Sequence, residues 1–135
     1  MRTVAFPVSC EVAFDYLADP HHRADWQSSL ARVEDVDGEV RVGQTWVDVT
    51  KPGLRPLMET TELVRPHRWT ERGTWRGISA TLTLTFTATA DGCDVASAMS
   101  LRGRGLRAPL ARGLSLLAPA AVRSDLRHAA RRLAG

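Results

Sequence analysis

The stretch EVAFDYLADPHHRADW, residues 11–26, brings a helix end, two histidines and a tryptophan close together. Apolar residues recur in it at three- and four-residue spacing, which predicts an amphipathic helix over residues 9–18 with Ser9 as its N-cap. Pro20 disfavours the α conformation in the residue before it, so we expect the helix to end at Asp19. The polar segment that follows is either a metal or acid–base site, or only the turn by which the chain leaves the helix.

Strand-like segments surround this helix and fill the chain up to about residue 101. The clearest alternation of apolar and polar residues covers 78–88, and Asp91-Gly92 after it predicts a tight hairpin. Because the segments are joined by connections of hairpin length, they predict an antiparallel sheet. The predicted strands are 4–8, 30–36, 45–51, Leu57–Val64, Arg68–Trp75, 78–88 and 95–101.

The apolar period changes to that of a helix in the last thirty residues. Apolar residues share one face over 110–133, which predicts a long amphipathic helix kinked near Pro119. The order is thus strand, helix, many strands and a long helix. A curved antiparallel sheet with this helix across its concave face buries both apolar surfaces, so we predict an α+β fold with residues 1–135 as a single domain.

Composition and charge exclude several classes of protein. Apolar runs are too short for a membrane span and the N-terminus does not resemble a signal peptide, so a cytoplasmic protein is expected. Cys10 and Cys93 lie far apart in sequence and in no metal-binding pattern, and they are expected to be buried free thiols.

From Arg102 onward the chain has eight arginines and one acid, Asp125, whereas residues 1–101 carry a net charge of −4. We interpret these arginines as the solvent-facing side of the last helix rather than as a nucleic-acid site, because no aromatic residues alternate with them.

Several short motifs together resemble the START-like superfamily called SRPBCC, which includes small bacterial polyketide cyclase/dehydrase-type proteins and the plant pollen-allergen-like proteins. The resemblance covers nearly the whole chain. The matching residues are Phe14, Leu17, Asp19, Pro20 and Trp26, then Val42-Gly43, the stretch from Thr61-Glu62 to Pro66-His67-Arg68, the hairpin Asp91-Gly92 to Val95, and Leu117-Ala118-Pro119.

The resemblance implies a helix-grip fold, in which the sheet wraps around the C-terminal helix and leaves an internal hydrophobic cavity. It implies a protein that binds a small hydrophobic or aromatic, lipid- or polyketide-like molecule. No cofactor is expected. The alternative is a polyketide cyclase, aromatase or dehydratase. A weaker hypothesis is an accessory protein whose basic helix docks on an acidic partner or a membrane. Neither nucleic-acid binding nor stable membrane insertion is expected, and the protein is expected to be a monomer or homodimer.

His21, His22 and Asp25 fall where the family has a variable, solvent-facing turn. Adjacent histidines in a turn point apart, unlike a pair at i, i+4 on a helix, so no metal site is predicted here. Asp19 is better explained as a hydrogen-bonding residue of the turn, and Trp26 as apolar cover at one end of the cavity.

The other tryptophans direct attention to two carboxylates. Trp69, Glu71 and Trp75 share one strand face, which by resemblance looks into the cavity. If Trp46 points inward, Asp48 points inward with it, although the alternation of this strand is ambiguous. Two carboxylates in an apolar pocket have raised pKa values and can act as acid and base, which makes Asp48 and Glu71 the candidate catalytic residues. The alternative is that both lie near a strand end or pair with an arginine.

The predicted ligand-binding residues are those expected to face the cavity from the sheet and the last helix. They are Trp26, Trp46, Met58, Trp69, Trp75, Leu84, Phe86, Met99, Leu114 and Leu117.

Overall fold

The structure, a computed structural model, describes the backbone of residues 3–103 and 108–135 and the side chains of 3–103 and 119–135. The helices are α1 (Cys10–Ala18), α2 (Arg23–Trp26) and α3 (Ala108–Leu133), with a 3₁₀ turn at Pro20–His22. The strands are β1 (Thr3–Phe6), β2 (Leu30–Glu34), β3 (Thr45–Thr50), β4 (Leu57–Val64), β5 (Arg68–Trp75), β6 (Ile78–Thr89) and β7 (Gly92–Gly103).

One curved antiparallel sheet holds the seven strands in the order β1-β7-β6-β5-β4-β3-β2. From β2 to β7 each strand pairs with the next in sequence, as expected for short connections. β1 closes the other edge by pairing with β7, and the two short helices lie in the connection from β1 to β2. The predicted α+β helix-grip architecture is confirmed.

The first helix forms as its sequence predicts. The Ser9 side chain accepts a hydrogen bond from the Val12 backbone N–H at 3.2 Å, which satisfies one of the free donors of the first turn. Asp19 is extended (φ −85°, ψ 118°), so the helix ends directly before Pro20. One face of α1 is buried, and the helix packs against β6 and β7.

The core lies between the inner face of the sheet and the helices. On β6, Leu84 and Phe86 are buried while Thr85 is exposed, as the alternation predicts. Phe86 packs on Phe14 of α1, with their ring centroids 5.1 Å apart. Leu126 and Ala129 bring the C-terminal part of α3 into the same core.

The last helix lies where the sequence predicts it. α3 packs on β1 and β7 and contains Pro119. The predicted kink at Pro119 stays a prediction, and the side chains of Leu114 and Leu117 lie outside the described residues. In the part of the chain that the structure describes, no helix has the length and apolar character needed to cross a bilayer.

The expectation of two free thiols is wrong. Cys10 and Cys93 form a disulfide that links the start of α1 to the start of β7, with their Cα atoms 5.0 Å apart. Eighty-three positions separate the two residues in sequence, and neither lies in a short cysteine motif. Their proximity depends on how α1 crosses the sheet, so it could not be derived from spacing alone.

Candidate functional site

A pocket of about 250 Å³ opens on the inner face of the sheet, between the strands and the segment that follows α1. Its walls are mainly apolar side chains of β2 and of β4 to β7, and three charged residues stand together in its lining. The lining residues are Arg23, Gln27, Ser29, Leu30, Asp48, Thr50, Pro56, Met58, Glu71, Gly73, Thr74, Trp75, Ile78, Ala80, Leu82 and Met99.

A tight turn brings Arg23 to this pocket. The Asp19 carboxylate accepts from the His21 backbone N–H at 3.0 Å, and the Arg23 backbone N–H donates to the Pro20 carbonyl. Pro20, Arg23 and Trp26 follow one another at three-residue spacing. Because this segment is helical, the three residues lie on one face, and all three are buried. The turn that ends the first helix therefore aims a guanidinium into the interior.

Two strands supply the carboxylates. On β3 the inner face carries Trp46 and Asp48, and on β5 it carries Trp69, Glu71 and Gly73. The ambiguity of β3 is thus resolved with Trp46 and Asp48 buried together.

Gly73 provides room in the floor of the pocket. It pairs with Met58 across β4 and β5, and a Cβ atom at this position would lie 2.7 Å from the Met58 sulfur. Because Gly73 has no side chain, Met58 can lie against it. Ala80, the partner of Gly73 on β6, also lines the pocket.

Arg23, Asp48 and Glu71 form a buried ion cluster, which we call the charged cluster. Arg23 Nε and Nη2 donate to the two oxygens of Asp48 at 3.0 and 2.7 Å, and Nη1 donates to Glu71 Oε2 at 2.6 Å. The residues are only 2%, 4% and 5% exposed. The Trp46 indole N–H donates to Asp48 Oδ1 at 2.9 Å, and the guanidinium carbon lies 5.0 Å from the centroid of the Trp46 ring. The cluster is thus held by paired and charge-assisted hydrogen bonds.

The charges in the cluster do not balance, because one cation faces two carboxylates. Burial opposes the charge of Arg23, but attraction by Glu71 and Asp48 outweighs it and raises the pKa of Arg23. Burial raises the pKa of Glu71 above its ordinary value; the pairing with Arg23 works against this, and repulsion by Asp48 adds to it. Glu71 therefore takes up a proton more readily than an ordinary glutamate does.

Comparison with known proteins places the chain in a family. Residues 1–135 match the family described as polyketide cyclase / dehydrase and lipid transport. The chain belongs to this family. No curated protein matches the sequence. The resemblance to SRPBCC proteins is confirmed.

Solved structures show the same fold at low sequence identity. The di-domain ARO/CYC StfQ from the steffimycin biosynthetic pathway is 14% identical, with a TM-score of 0.76 over 96% of this chain and 48% of its own. A conserved protein from Geobacillus kaustophilus is 14% identical, with a TM-score of 0.74 over 98% and 92%. A protein from Rhodobacter sphaeroides is 18% identical, with a TM-score of 0.70 over 98% and 89%. These similarities concern the fold alone.

In this member of the polyketide cyclase/dehydrase family, the two adjacent histidines lie in the turn and not in the pocket. His21 Nδ1 is 3.0 Å from Asp19 Oδ1, and His22 stacks on Tyr16 with the ring centroids 4.8 Å apart. His22 Nδ1 also lies 3.7 Å from Asp25 Oδ2, and the side chains of both histidines are exposed to solvent. Among the described residues no group of three metal-ligating side chains comes together. The turn function predicted for Asp19 is confirmed by its hydrogen bond to the His21 backbone.

The structure separates the predicted ligand-binding residues into two groups. Met58, Trp75 and Met99 line the pocket with both candidate catalytic carboxylates. The others with described side chains are packed in the core and are not part of its lining: Trp26, Trp46, Trp69, Leu84 and Phe86. Contact with a ligand stays a prediction for all of them.

Arg23 is the site residue that the sequence interpretation missed. Pairing of the carboxylates with an arginine was an open alternative, but seventeen arginines offered no choice among them. The signal was present in the spacing, because Arg23 lies three residues from both Pro20 and Trp26 and therefore shares their buried face. A buried cation would also offset the cost of burying two ionised carboxylates.

Proposed function

We propose that this chain binds a small hydrophobic or aromatic molecule in the pocket beside the charged cluster, as one domain over residues 1–135. The observation that carries the proposal is the contrast within the lining. Apolar side chains such as Met58, Leu82 and Met99 form the walls, while hydrogen-bonding groups converge at one place. Ligand sites commonly combine apolar walls with a few placed polar groups, which fix the orientation of the ligand.

The family description includes both enzymes and lipid transport, and one observation supports an enzymatic reading as the second candidate. Glu71 lines the pocket and its pKa is raised, which is the direction of shift that a general acid requires. Asp48 is engaged on both oxygens by Arg23, so it is better suited to hold the guanidinium than to transfer protons. If the protein is a cyclase or dehydratase, Glu71 is the proposed acid and Asp48 and Arg23 position it.

The binding proposal is tested by filling the pocket. Ala80 lies in the lining, and Ala80→Phe places a ring where the ligand would bind, whereas Ala98→Phe adds the same ring on an exposed position of the neighbouring strand. Binding of naphthol, followed by tryptophan fluorescence, should be lost in Ala80→Phe and kept in Ala98→Phe. Thermal melting of both variants checks that they are folded. Equal binding by both variants would overturn the proposal.

Salt dependence separates this proposal from an accessory role of the basic helix. Binding driven by apolar burial depends little on ionic strength, whereas attachment to anionic vesicles through the arginines weakens as salt screens them. Naphthol binding should therefore be unchanged between low and high salt. Salt-sensitive vesicle binding with no response to naphthol would favour the accessory role instead.

Carrier and enzyme are separated by Glu71→Gln. A carrier keeps its ligand and shows no turnover in either form, whereas an enzyme keeps its ligand and loses its reaction. Incubation with linear polyketide-like ketones followed by mass spectrometry provides the measurement.

A cytoplasmic location stays a prediction, and the disulfide, a bond type that is rare in the cytosol, argues against it.

A further inference from the structure

We propose that the pocket selects ligands whose polar group donates a hydrogen bond, such as a phenolic hydroxyl or an ammonium, and excludes ligands that carry a carboxylate. This inference rests on the proposed function, since it concerns the ligand of the same pocket. It reverses the usual expectation for a buried arginine, which commonly binds the carboxylate of a ligand.

The donors of Arg23 are already occupied. A guanidinium has five N–H groups. Those of Nε, Nη1 and Nη2 reach Asp48 and Glu71. With the Gln27 side-chain amide turned so that its oxygen faces Arg23, this oxygen accepts from Nη1 at 3.3 Å and from Nη2 at 3.1 Å. A ligand carboxylate would have to displace one of these acceptors to gain the guanidinium.

The net charge of the cluster also opposes an anion. Among the described residues that line the pocket, the charged groups are Arg23, Asp48 and Glu71, one cation with two carboxylates. The cluster therefore carries a net charge of −1 when both carboxyls are ionised. Charges interact more strongly here than in water because the three side chains are almost completely buried.

The unused hydrogen-bonding capacity of the cluster is that of an acceptor. Asp48 Oδ1 accepts from both Arg23 and Trp46, and Asp48 Oδ2 accepts from Arg23. Glu71 Oε2 accepts from Nη1 at 2.6 Å, whereas among the described residues the contact of Oε1 is a long one of 3.5 Å with Nη2. Glu71 Oε1 is therefore the atom that can accept a strong hydrogen bond from a ligand.

The pocket's remaining polar side chains do not reverse this preference. Ser29, Thr50 and Thr74 carry hydroxyls, which can donate or accept and have no charge, and the indole N–H of Trp75 is an uncharged donor. Thr50 already accepts from the Leu54 backbone N–H at 2.9 Å. The sign of the preference is set by the charged cluster.

Three naphthalene derivatives that differ in one substituent test the inference. Naphthol, naphthylmethylammonium and naphthoate share the same ring, so apolar burial is nearly constant among them. At neutral pH we expect the hydroxyl and ammonium compounds to bind, and naphthoate to bind at least about tenfold more weakly. Isothermal titration calorimetry gives the three dissociation constants. If none of them binds, the proposed function fails; if naphthoate binds as tightly as naphthol, this inference alone fails.

Glu71→Gln tests whether the charged cluster causes the discrimination. The substitution removes one negative charge and keeps the size of the side chain, so the ratio of the naphthoate and naphthol dissociation constants should fall several-fold. Glu59→Gln is the matched control, because Glu59 is a partly exposed carboxylate paired with Arg72 on the neighbouring strand. A ratio that is the same in wild type and Glu71→Gln would overturn the assignment to the cluster.

Discussion

At the scale of single residues, Arg23 determines the character of the pocket. Without it, the carboxylates of β3 and β5 would be buried on the inner face of the sheet, with no cation to offset the cost of removing them from water. With it, the lining contains one group of paired charges, while the other walls of the pocket are mainly apolar. A buried ion group of this kind adds little to stability by itself, but removing one member leaves the others unpaired.

We therefore expect Arg23→Met to lower the free energy of unfolding by about 3–5 kcal/mol at neutral pH, because two buried carboxylates lose their partner. Arg72→Met is the control, since its exposed pairing with Glu59 at 3.2 Å should contribute less than about 1 kcal/mol. Urea unfolding of both variants measures the difference. Similar small losses in the two variants would mean that the cluster does not hold the charges described.

The pH dependence of stability tests Glu71. Its folded-state pKa is raised, so the folded chain keeps a proton that the unfolded chain has already lost. The contribution of Glu71 to stability is therefore complete below the ordinary glutamate pKa of about 4.3, and it is lost as pH rises towards the raised value. Because glutamine does not titrate, the stability of Glu71→Gln relative to wild type should increase with pH across this window. Urea unfolding at several pH values measures it, and a decrease would contradict the assigned direction.

At the scale of elements, local patterns predicted the seven strands of the described sheet and the helices α1 and α3. The bounds of β4 and β5 agree with the sequence prediction, because turn residues limit them on both sides. The prediction for β7 began too late, since the hairpin at Asp91-Gly92 lets pairing start at once. The disulfide was missed because local patterns do not show which strand a helix crosses.

The alternation of β6 gives a direct test of which face is inward. Phe86→Ala removes a ring packed on Phe14 and should cost about 3–5 kcal/mol, whereas Thr85→Ala changes an exposed side chain and should cost less than about 0.5 kcal/mol. Thr83 is a poorer control, because its hydroxyl lies 2.9 Å from that of Thr70. Thermal unfolding measures both variants, and equal losses would contradict the assigned faces.

The disulfide is tested by thiol titration and by substitution. The oxidised protein should show no reactive thiol even when unfolded, and replacing both Cys10 and Cys93 by Ala should lower the free energy of unfolding by about 2–5 kcal/mol. Treatment of the wild type with a reductant should give a similar loss. Two thiols titrating in the unreduced, unfolded wild type would show that the bond does not form.

At the scale of the whole molecule, the fold was predictable and the site was only half predictable. The alternation of side chains along a strand predicts that Trp69 and Glu71 share one face and that Trp46 and Asp48 share another, and all four are buried. The spacing with Pro20 and Trp26 indicates that Arg23 is buried, but local patterns do not show that it meets these carboxylates, because it lies 25 and 48 positions from them. That contact exists only in the folded chain, where the segment between α1 and β2 brings Arg23 against β3 and β5.

The four tryptophans allow the central claim, a ligand bound beside the charged cluster, to be tested in one measurement. Trp75 lines the pocket and the Trp46 indole donates to Asp48, whereas Trp69 is in the core and Trp26 lines a separate pocket near His128. Titration with naphthol, followed by the NMR signals of the indole N–H groups, should shift Trp75 and Trp46 in a saturable manner and leave Trp26 nearly unchanged. Saturable shifts confined to Trp26, or none in Trp75 and Trp46, would contradict the account.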